Sequence, residues 1–191
     1  MTGMQVLTDR AQAHRVSRAE FERLRDGRSD ATRYELLDGV VLVTPSPRPR
    51  HQVVVVELIG RLLGLMPAHW RLLPGPVDVD LFGDGETVLI PDLLIADRAQ
   101  LTEKDHAGPP VLVVEVLSPT TWHRDLGEKM AAYARAGVRH YWVLAPDVPS
   151  ITIYQLEGDD EYAEFAHAEG TQPAHVTEPV ELTLRPADLV D

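Results

Sequence analysis

Apolar and polar positions alternate with two different periods along this chain, which indicates a mixture of strands and helices. The segments 33–37 and 40–44 are apolar-rich and flank Asp38-Gly39, a dipeptide that favours a tight hairpin. The segment from about 51 to 66 is apolar on most sides of a helix, so we expect it to lie buried against a sheet. The pattern therefore predicts an early hairpin followed by a helix that packs on a sheet.

Strands dominate the pattern from residue 70 onward. The segment 111–117 is apolar except for Glu115, a composition typical of a central strand covered on both faces. A helix is predicted over 125–136, ended by Gly137. Further strands are predicted over 70–73, 77–81, 88–96, 139–144, 150–156 and 162–167, with a tail that closes on 182–190.

The beginning of the chain has a weaker pattern. Residues 1–16 are predicted to be a loose leader, and Ser17 with Glu20 forms a capping box that starts a short helix. A length of 191 residues fits one domain. We therefore expect a single α/β domain over 17–191, preceded by the leader.

Composition narrows the class of protein. The chain contains no cysteine, which excludes disulfides and thiolate zinc sites. Residues 1–28 contain no apolar run, so no secretory signal is predicted. The longest apolar stretch, 53–66, is short and is interrupted by Glu57 and Arg61, so no membrane span is predicted. These features predict a soluble, cytoplasmic protein.

The net charge is −12, and phosphate binding requires cations, so the charge at first argues against a nucleic-acid partner. The charge is unevenly distributed, however. Residues 1–75 carry 11 Lys and Arg against 8 Asp and Glu, whereas residues 76–191 carry 7 against 22. Either the acidic excess lies away from the substrate, or the substrate is not DNA.

Two carboxylates sit in or next to apolar strands. Glu115 lies inside one, where a carboxylate costs several kcal/mol unless it is paired or bound to a metal. Asp92 follows Pro91 and opens another. A salt bridge for Glu115 and loop amides for Asp92 are the alternatives. If the two strands are neighbours, the carboxylates converge into an oxygen-rich site suited to Mg²⁺ or Mn²⁺.

Lys129 lies on the helix that follows the Glu115 strand, on one face with Asp125 and Tyr133. A solvated pair of Asp125 and Lys129 is one interpretation. The other is that residues 118–124 turn the chain back over the strand end, so that the ammonium reaches the acidic site. There it could stabilise the charge that develops on a phosphate.

Other candidates lie earlier in the chain. Glu35 is flanked by apolar residues in the hairpin, and is either an outward-facing side chain or a further acidic site residue. His51 starts the apolar helix behind Arg48 and Arg50, which suggests either an ordinary helix start or a phosphate contact. The histidines are not paired at helical spacing, so a histidine zinc site gains little support.

A family resemblance rests on several motifs taken in order. The chain resembles the Uma-two-type restriction endonucleases of the PD-(D/E)XK nuclease superfamily. The resemblance runs from about Tyr34 to Leu184. The motifs that carry it are Tyr34-Glu35-Leu36-Leu37-Asp38-Gly39, Pro45-Ser46-Pro47 with His51, Ile90-Pro91-Asp92-Leu93, Val114-Glu115-Val116-Leu117-Ser118-Pro119, Asp125 with Lys129 and Tyr133, and Gly137-Val138 with Tyr141-Trp142-Val143.

The resemblance implies a restriction-endonuclease-like fold, in which helices flank a mixed central sheet, with an N-terminal hairpin and extra C-terminal strands. Asp92 matches the first acid of the motif and Glu115 the second. Leu117 stands where the superfamily has lysine; in this family the lysine is moved to the next helix, which Lys129 matches. Glu35 matches the acid of the first strand.

These inferences combine into one hypothesis. The protein is predicted to be a Mg²⁺- or Mn²⁺-dependent endonuclease that hydrolyses DNA, with Asp92 and Glu115 on the metal. Lys129 and Glu35 complete the catalytic set, while Arg48, Arg50 and His51 bind substrate. A homodimer is expected, because cutting both strands of a duplex needs two sites and two-fold dimers are common. The alternative is a catalytically silent nuclease fold that binds protein or nucleic acid.

Overall fold

The computed structural model describes residues 15–27 and 32–190. Apart from Arg15 and Val16, the predicted leader lies outside the described residues. The α-helices are α1 Arg18–Asp26, α2 Pro49–Leu62, α3 Trp122–Asp125 and α4 Glu128–Arg135, with short 3-10 helices at Leu63–Leu65, Arg98–Gln100 and Pro186–Leu189. The strands are β1 Arg33–Leu37, β2 Val40–Thr44, β3 Trp70–Pro74, β4 Val79–Asp80, β5 Val88–Leu89, β6 Leu93–Asp97, β7 His106–Ala107, β8 Leu112–Val116, β9 His140–Ala145, β10 Ser150–Glu157, β11 Glu161–Glu169, β12 Ala174–Val176 and β13 Leu182–Leu184.

Two mixed sheets form the framework. The larger has the strand order β11-β10-β9-β8-β6-β3, and the other has the order β2-β1-β5-β4-β7. β8 pairs parallel with β9 and antiparallel with β6, so it is a central strand, as predicted. The extra C-terminal pair β12-β13 packs beside the larger sheet. The predicted α/β architecture with flanking helices is confirmed.

The two faces of the larger sheet bury different partners. On one face, Val54, Leu58 and Leu62 of α2 pack in one cluster with the even-numbered side chains of β8. On the other face, Val113 of β8 packs in a cluster with Tyr133 of α4. Glu115 shares the side of Val113, because strand side chains alternate. The pleat of β8 therefore directs Glu115 toward α4.

Several helix ends and one turn have the structure that the local sequence predicts. Ser17 and Glu20 form the predicted capping box at the start of α1. Asp38 and Gly39 both have positive φ, as the hairpin turn requires. At the end of α4, Gly137 adopts a φ of 83°, and the amides of Gly137 and Val138 donate to carbonyls of the last turn.

The strand predicted over 88–96 is instead two strands in different sheets. β5 pairs with β1 and β4, whereas β6 pairs with β3 and β8. Pro91 has no N–H to donate to a ladder. The amide of Ile90 donates to the Glu35 carboxylate instead of to a neighbouring strand, at 2.8 Å. The corner over 90–92 therefore carries the chain from one sheet to the other.

The helix predicted over 125–136 is also divided. α3 ends at Asp125, and α4 begins at Glu128. Gly127 has φ −121° and ψ −105°, outside the helical region, and a Cβ there would lie 2.7 Å from the His123 carbonyl oxygen. A glycine is therefore needed at this close approach, and the helix breaks there.

The helix predicted over 51–66 begins earlier and is less buried than expected. α2 starts at Pro49, and its last turn passes into the 3-10 helix over 63–65. Only one face is covered, since Val56 is 61% exposed. In the part of the chain that the structure describes, no helix is both long enough and apolar enough to cross a membrane.

Candidate active site

The structure brings the four residues predicted to be catalytic to one pocket of about 200 Å³. The remaining predicted site residues, Arg48, Arg50 and His51, line the same pocket. The catalytic candidates come from four places in the fold: Glu35 from β1, Asp92 from the corner before β6, Glu115 from β8 and Lys129 from α4.

Lys129 is the centre of the site and is 3% exposed. Its Nζ lies 2.7 Å from Glu115 Oε1, 3.1 Å from Glu35 Oε1 and 3.5 Å from Asp125 Oδ1. The ammonium thus reaches Glu115 of β8 as well as Asp125, which lies four residues earlier at the end of α3. The solvated pair of Asp125 and Lys129 that the helix spacing alone allowed is not what forms.

Local periodicity explains why these groups meet. Glu35 lies on the same side of β1 as Arg33 and Leu37, because side chains alternate along a strand. Leu37 belongs to the core cluster that also contains Tyr133 of α4. On α4, Lys129 and Tyr133 are four residues apart and share a face. The Tyr133 hydroxyl donates to Glu115 Oε1 at 3.3 Å.

Asp92 is held by a separate set of partners. Its Oδ1 accepts a hydrogen bond from Arg33 Nη1 at 2.8 Å, and its Oδ2 lies 2.9 Å from His51 Nε2. The amide of Val116, at the end of β8, also donates to Oδ2 at 2.9 Å. Extending the β6–β8 register by one residue sets Asp92 opposite Glu115. The strands that carry the two acids are therefore neighbours, as the sequence hypothesis required.

The pKa values of the acids diverge. Burial alone would raise the pKa of Asp92, but the hydrogen bond from His51, the charges of His51 and Arg33 and the Val116 amide together hold it well below its usual range. Burial raises the pKa of Glu115 well above its usual value, opposed by Lys129 and reinforced by Asp125 and other neighbouring acids. The pocket thus contains one strongly ionised acid and one that resists ionisation.

The pKa values of Lys129 and Asp125 are also shifted. Burial would lower the pKa of the Lys129 ammonium, but the carboxylates of Glu115, Glu35 and Asp125 raise it well above its usual value. Burial raises the pKa of Asp125, although Lys129 opposes this. Lys129 is therefore a permanent cation among acids that are costly to ionise.

Sequence reasoning missed two members of the site. Asp125 was considered as a helix-face partner of Lys129 and as part of a family motif but not as a site residue, yet it is 6% exposed and lines the pocket. Arg33, the partner of Asp92, was not singled out. Its position two residues before Glu35 was an available signal, because residues two apart on a strand share a face. Burial of Asp125 depends on the fold of α3 and had no comparable signal.

Charge and ligand type determine whether these residues suit a divalent cation. The four acids Glu35, Asp92, Glu115 and Asp125 outnumber the neighbouring cations Arg33 and Lys129 by two when all are ionised, whereas the whole lining, with Arg48, Arg50, Arg124 and Asp147, balances at five acids against five cations. Among the described residues, no group of three or more acids or histidines is arranged as a metal cage. Mg²⁺ typically uses one or two carboxylates and keeps several waters. The carboxylate oxygens thus suit a divalent cation in their ligand chemistry, without a preformed cage.

Replacing Lys129 by methionine should destabilise the metal-free protein at about pH 7 by about 3–5 kcal/mol, because it strands buried carboxylates without their cation. The pKa values of Glu115 and Asp125, already raised by burial, should rise further above their unfolded values. The folded variant then binds more protons than the unfolded chain, so its stability should increase as the pH falls toward about 4.3. Urea unfolding in EDTA at about pH 7 and about pH 5 measures both effects.

Lys104→Met is the matched control, because the Lys104 side chain is 76% exposed and lies 3.7 Å from a Glu22 oxygen. It should change the unfolding free energy by less than about 0.5 kcal/mol. Equal losses in the two variants, or a Lys129→Met loss that does not shrink at the lower pH, would contradict this account of the cluster.

The fold is similar to that of a solved protein. The crystal structure of a "putative nuclease belonging to DUF820" from Anabaena variabilis superposes with a TM-score of 0.68. The match covers 92% of this chain and 97% of that one, at 18% sequence identity. At this identity the likeness concerns the fold alone. A comparison with curated proteins gave no match.

A family model accounts for most of the sequence. The Uma2 model, described as "Putative restriction endonuclease", matches residues 18–187. That range includes every element from α1 to β13 and all of the pocket residues named above. The resemblance inferred from the ordered motifs is thus confirmed, and the chain belongs to the Uma2 family.

Proposed function

We propose that this protein is a Mg²⁺- or Mn²⁺-dependent endonuclease that hydrolyses phosphodiester bonds in DNA. The observation that carries the proposal is the buried cluster of Lys129 with Glu35, Glu115 and Asp125, beside Asp92 in one pocket. Membership of a family described as restriction endonucleases and a nuclease-like fold support the same class of reaction.

Asp92 and Glu115 are the residues that would hold the cation. Both lie on the pocket wall and belong to neighbouring strands. The depressed pKa of Asp92 keeps that carboxylate ionised and ready to bind a cation over the whole neutral range. When bound, a divalent cation supplies neutralisation of phosphate charge and activation of water.

The other residues act directly on the substrate in this proposal. Lys129 would stabilise the charge that develops on the phosphate, since its raised pKa keeps it protonated. Asp125 is the candidate to accept a proton from the attacking water, because an acid with a raised pKa is a better base. Arg48 and Arg50 are exposed at the pocket and form no ion pair with a described carboxylate, which leaves them available to phosphates.

His51 contributes from the start of α2. Its Nε2 lies 2.9 Å from Asp92, while its buried Nδ1 has no hydrogen-bond partner among the described residues. A water molecule would satisfy that nitrogen, and a phosphate oxygen would do so when the ring is protonated on both nitrogens. We therefore retain His51 as a substrate-binding residue that also positions Asp92.

A catalytically silent binding module is the second candidate. The ion pairs that engage Asp92 with Arg33, and Glu115 with Lys129, favour it, because a cation would have to compete with them. The net charge of −12 and Leu117 at the usual lysine position point the same way. Measured cleavage separates the two candidates.

Asp92→Asn and Glu115→Gln should each reduce metal-dependent cleavage by about 100-fold or more, because each removes a ligand charge while preserving side-chain shape. The assay follows nicking of supercoiled plasmid and of circular single-stranded DNA with Mg²⁺ or Mn²⁺. Circular substrates restrict the signal to endonucleolytic cuts.

Asp159→Asn is the control, since Asp159 is exposed in the turn between β10 and β11. It should cleave at the wild-type rate. Wild-type cleavage by Asp92→Asn or Glu115→Gln would show that the site is misassigned. Cleavage by none of the four proteins, the wild type included, would favour the silent module.

Mg²⁺ should bind the wild type and bind Asp92→Ala at least about tenfold more weakly, because one of the two proposed ligands is lost. Isothermal calorimetry of the metal-free proteins measures this without any substrate. Asp159→Ala should match the wild type. Equal affinity in wild type and Asp92→Ala would remove Asp92 from the metal site.

The homodimer stays a prediction. The described part of each chain offers one candidate active site, and severing both strands of a duplex requires two cuts. We expect multi-angle light scattering to give twice the chain mass of 21.2 kDa. A mass that stays at one chain up to high protein concentration would contradict the prediction.

A further inference from the structure

An exposed tryptophan lies beside the pocket and has no part in the site described so far. Trp122, the first residue of α3, is 51% exposed, although tryptophan is among the residues most buried on average. Its neighbours Thr121 and Arg124 both line the pocket. Its own indole lies outside the lining, so Trp122 is an exposed ring next in the chain to residues of the pocket wall.

The acids of the pocket are buried. Glu35, Glu115 and Asp92 are 2–6% exposed and line a space of about 200 Å³. The loop before α2 and residues of the segment 117–125 also line this space. Arg124 Nη1 donates to the Val43 carbonyl at 3.1 Å and so links α3 to the end of β2. An unpaired strand can bring both a phosphate and an unstacked base to such a space, whereas the bases of a duplex are paired and stacked.

The charges around the mouth suit a short stretch of phosphates. Arg48, Arg50 and Arg124 line the pocket, and none forms an ion pair with a described carboxylate; Asp147 is an exposed acid on the same rim. The rest of the chain is strongly acidic, with a net charge of −12. A long duplex, with its dense phosphates, would be repelled beyond the rim. A few unpaired nucleotides would meet mainly the arginines.

An aromatic face beside cationic side chains is the usual means of holding single strands without sequence preference. We propose that the pocket takes unpaired, single-stranded DNA, and that a base flanking the scissile phosphate stacks on Trp122 while Arg48, Arg50 and Arg124 hold the adjacent phosphates. This assignment of the substrate rests on the proposed nuclease function. An unpaired strand needs one cut, so this substrate does not itself require two chains.

Binding of a fluorescein-labelled oligothymidylate of about 12 nucleotides tests the proposal in EDTA, where metal-dependent cleavage is suppressed. Trp122→Ala should weaken binding by about tenfold or more, and Trp122→Phe by much less, because phenylalanine still offers a ring for stacking. Binding should quench part of the wild-type tryptophan emission, and Trp122→Phe should remove that quench. Fluorescence anisotropy and intrinsic emission measure these effects.

Phe165→Ala is the matched control. Phe165 is 47% exposed on β11, is aromatic like Trp122 and does not line the pocket. Its removal should leave the affinity unchanged. With three arginines engaged, the slope of log affinity against log salt should be about −2 for a single strand. Equal effects of Trp122→Ala and Phe165→Ala would overturn the stacking assignment.

The class of nucleic acid that binds is tested with three unlabelled competitors of equal length: a DNA duplex, single-stranded DNA and oligouridylate. The duplex should compete at least about tenfold more weakly than the single strand. Equal or stronger competition by the duplex would overturn the single-strand assignment, and stronger competition by oligouridylate would replace DNA by RNA.

Cleavage assays distinguish this proposal from the nuclease function on which it rests. If DNA is cut but Trp122→Ala binds like the wild type, stacking on Trp122 is wrong and the nuclease function stands. If no DNA is cut but binding depends on Trp122, the nuclease function fails and single-strand binding stands.

Discussion

The ammonium of Lys129 is the group on which the centre of this protein depends. It is buried and meets carboxylates from β1, β8 and α3 within 3.5 Å. A charge taken out of water is tolerated only when it is paired and hydrogen-bonded. The positions of these three elements relative to α4 are therefore tied to one nitrogen atom. The same contact that stabilises the packing also gathers the acids of the proposed active site.

The corner before β6 plays the complementary part on the other side of the pocket. Pro91 interrupts the ladder, and the side chain of Glu35 accepts the Ile90 amide that the break leaves free. Asp92 then accepts the amide of Val116 from β8. Backbone groups that would otherwise be buried without partners are thus satisfied by the side chains of the site. Fold and candidate chemistry share the same hydrogen bonds, so the corner is both a connection between sheets and a wall of the pocket.

The distribution of charge limits what this site can recognise. Acids lie at the base of the pocket and across most of the molecule, whereas the arginines available to phosphates are on the rim. Attraction to a polyanion is therefore local and short in reach, because charges separated by more than a Debye length of about 8 Å are screened in physiological salt. Recognition must come from contacts at the pocket itself, where Arg124 is part of the lining and the exposed Trp122 lies two residues away in the chain.

The sequence by itself determined the features that depend on near neighbours: the hairpin at Asp38-Gly39, the end of α4 at Gly137, the buried strand around Glu115, and the family through its ordered motifs. Tertiary structure alone decided three features: the assignment of the 88–96 segment to two different sheets, the division of the predicted helix at Gly127, and the ion pair of Asp92 with Arg33. The physical reason is how far apart along the chain the interacting residues lie. Turns and caps are set by backbone conformation within a few residues, whereas strand pairing and buried ion pairs join groups far apart in the chain, whose partners are selected only when the core closes.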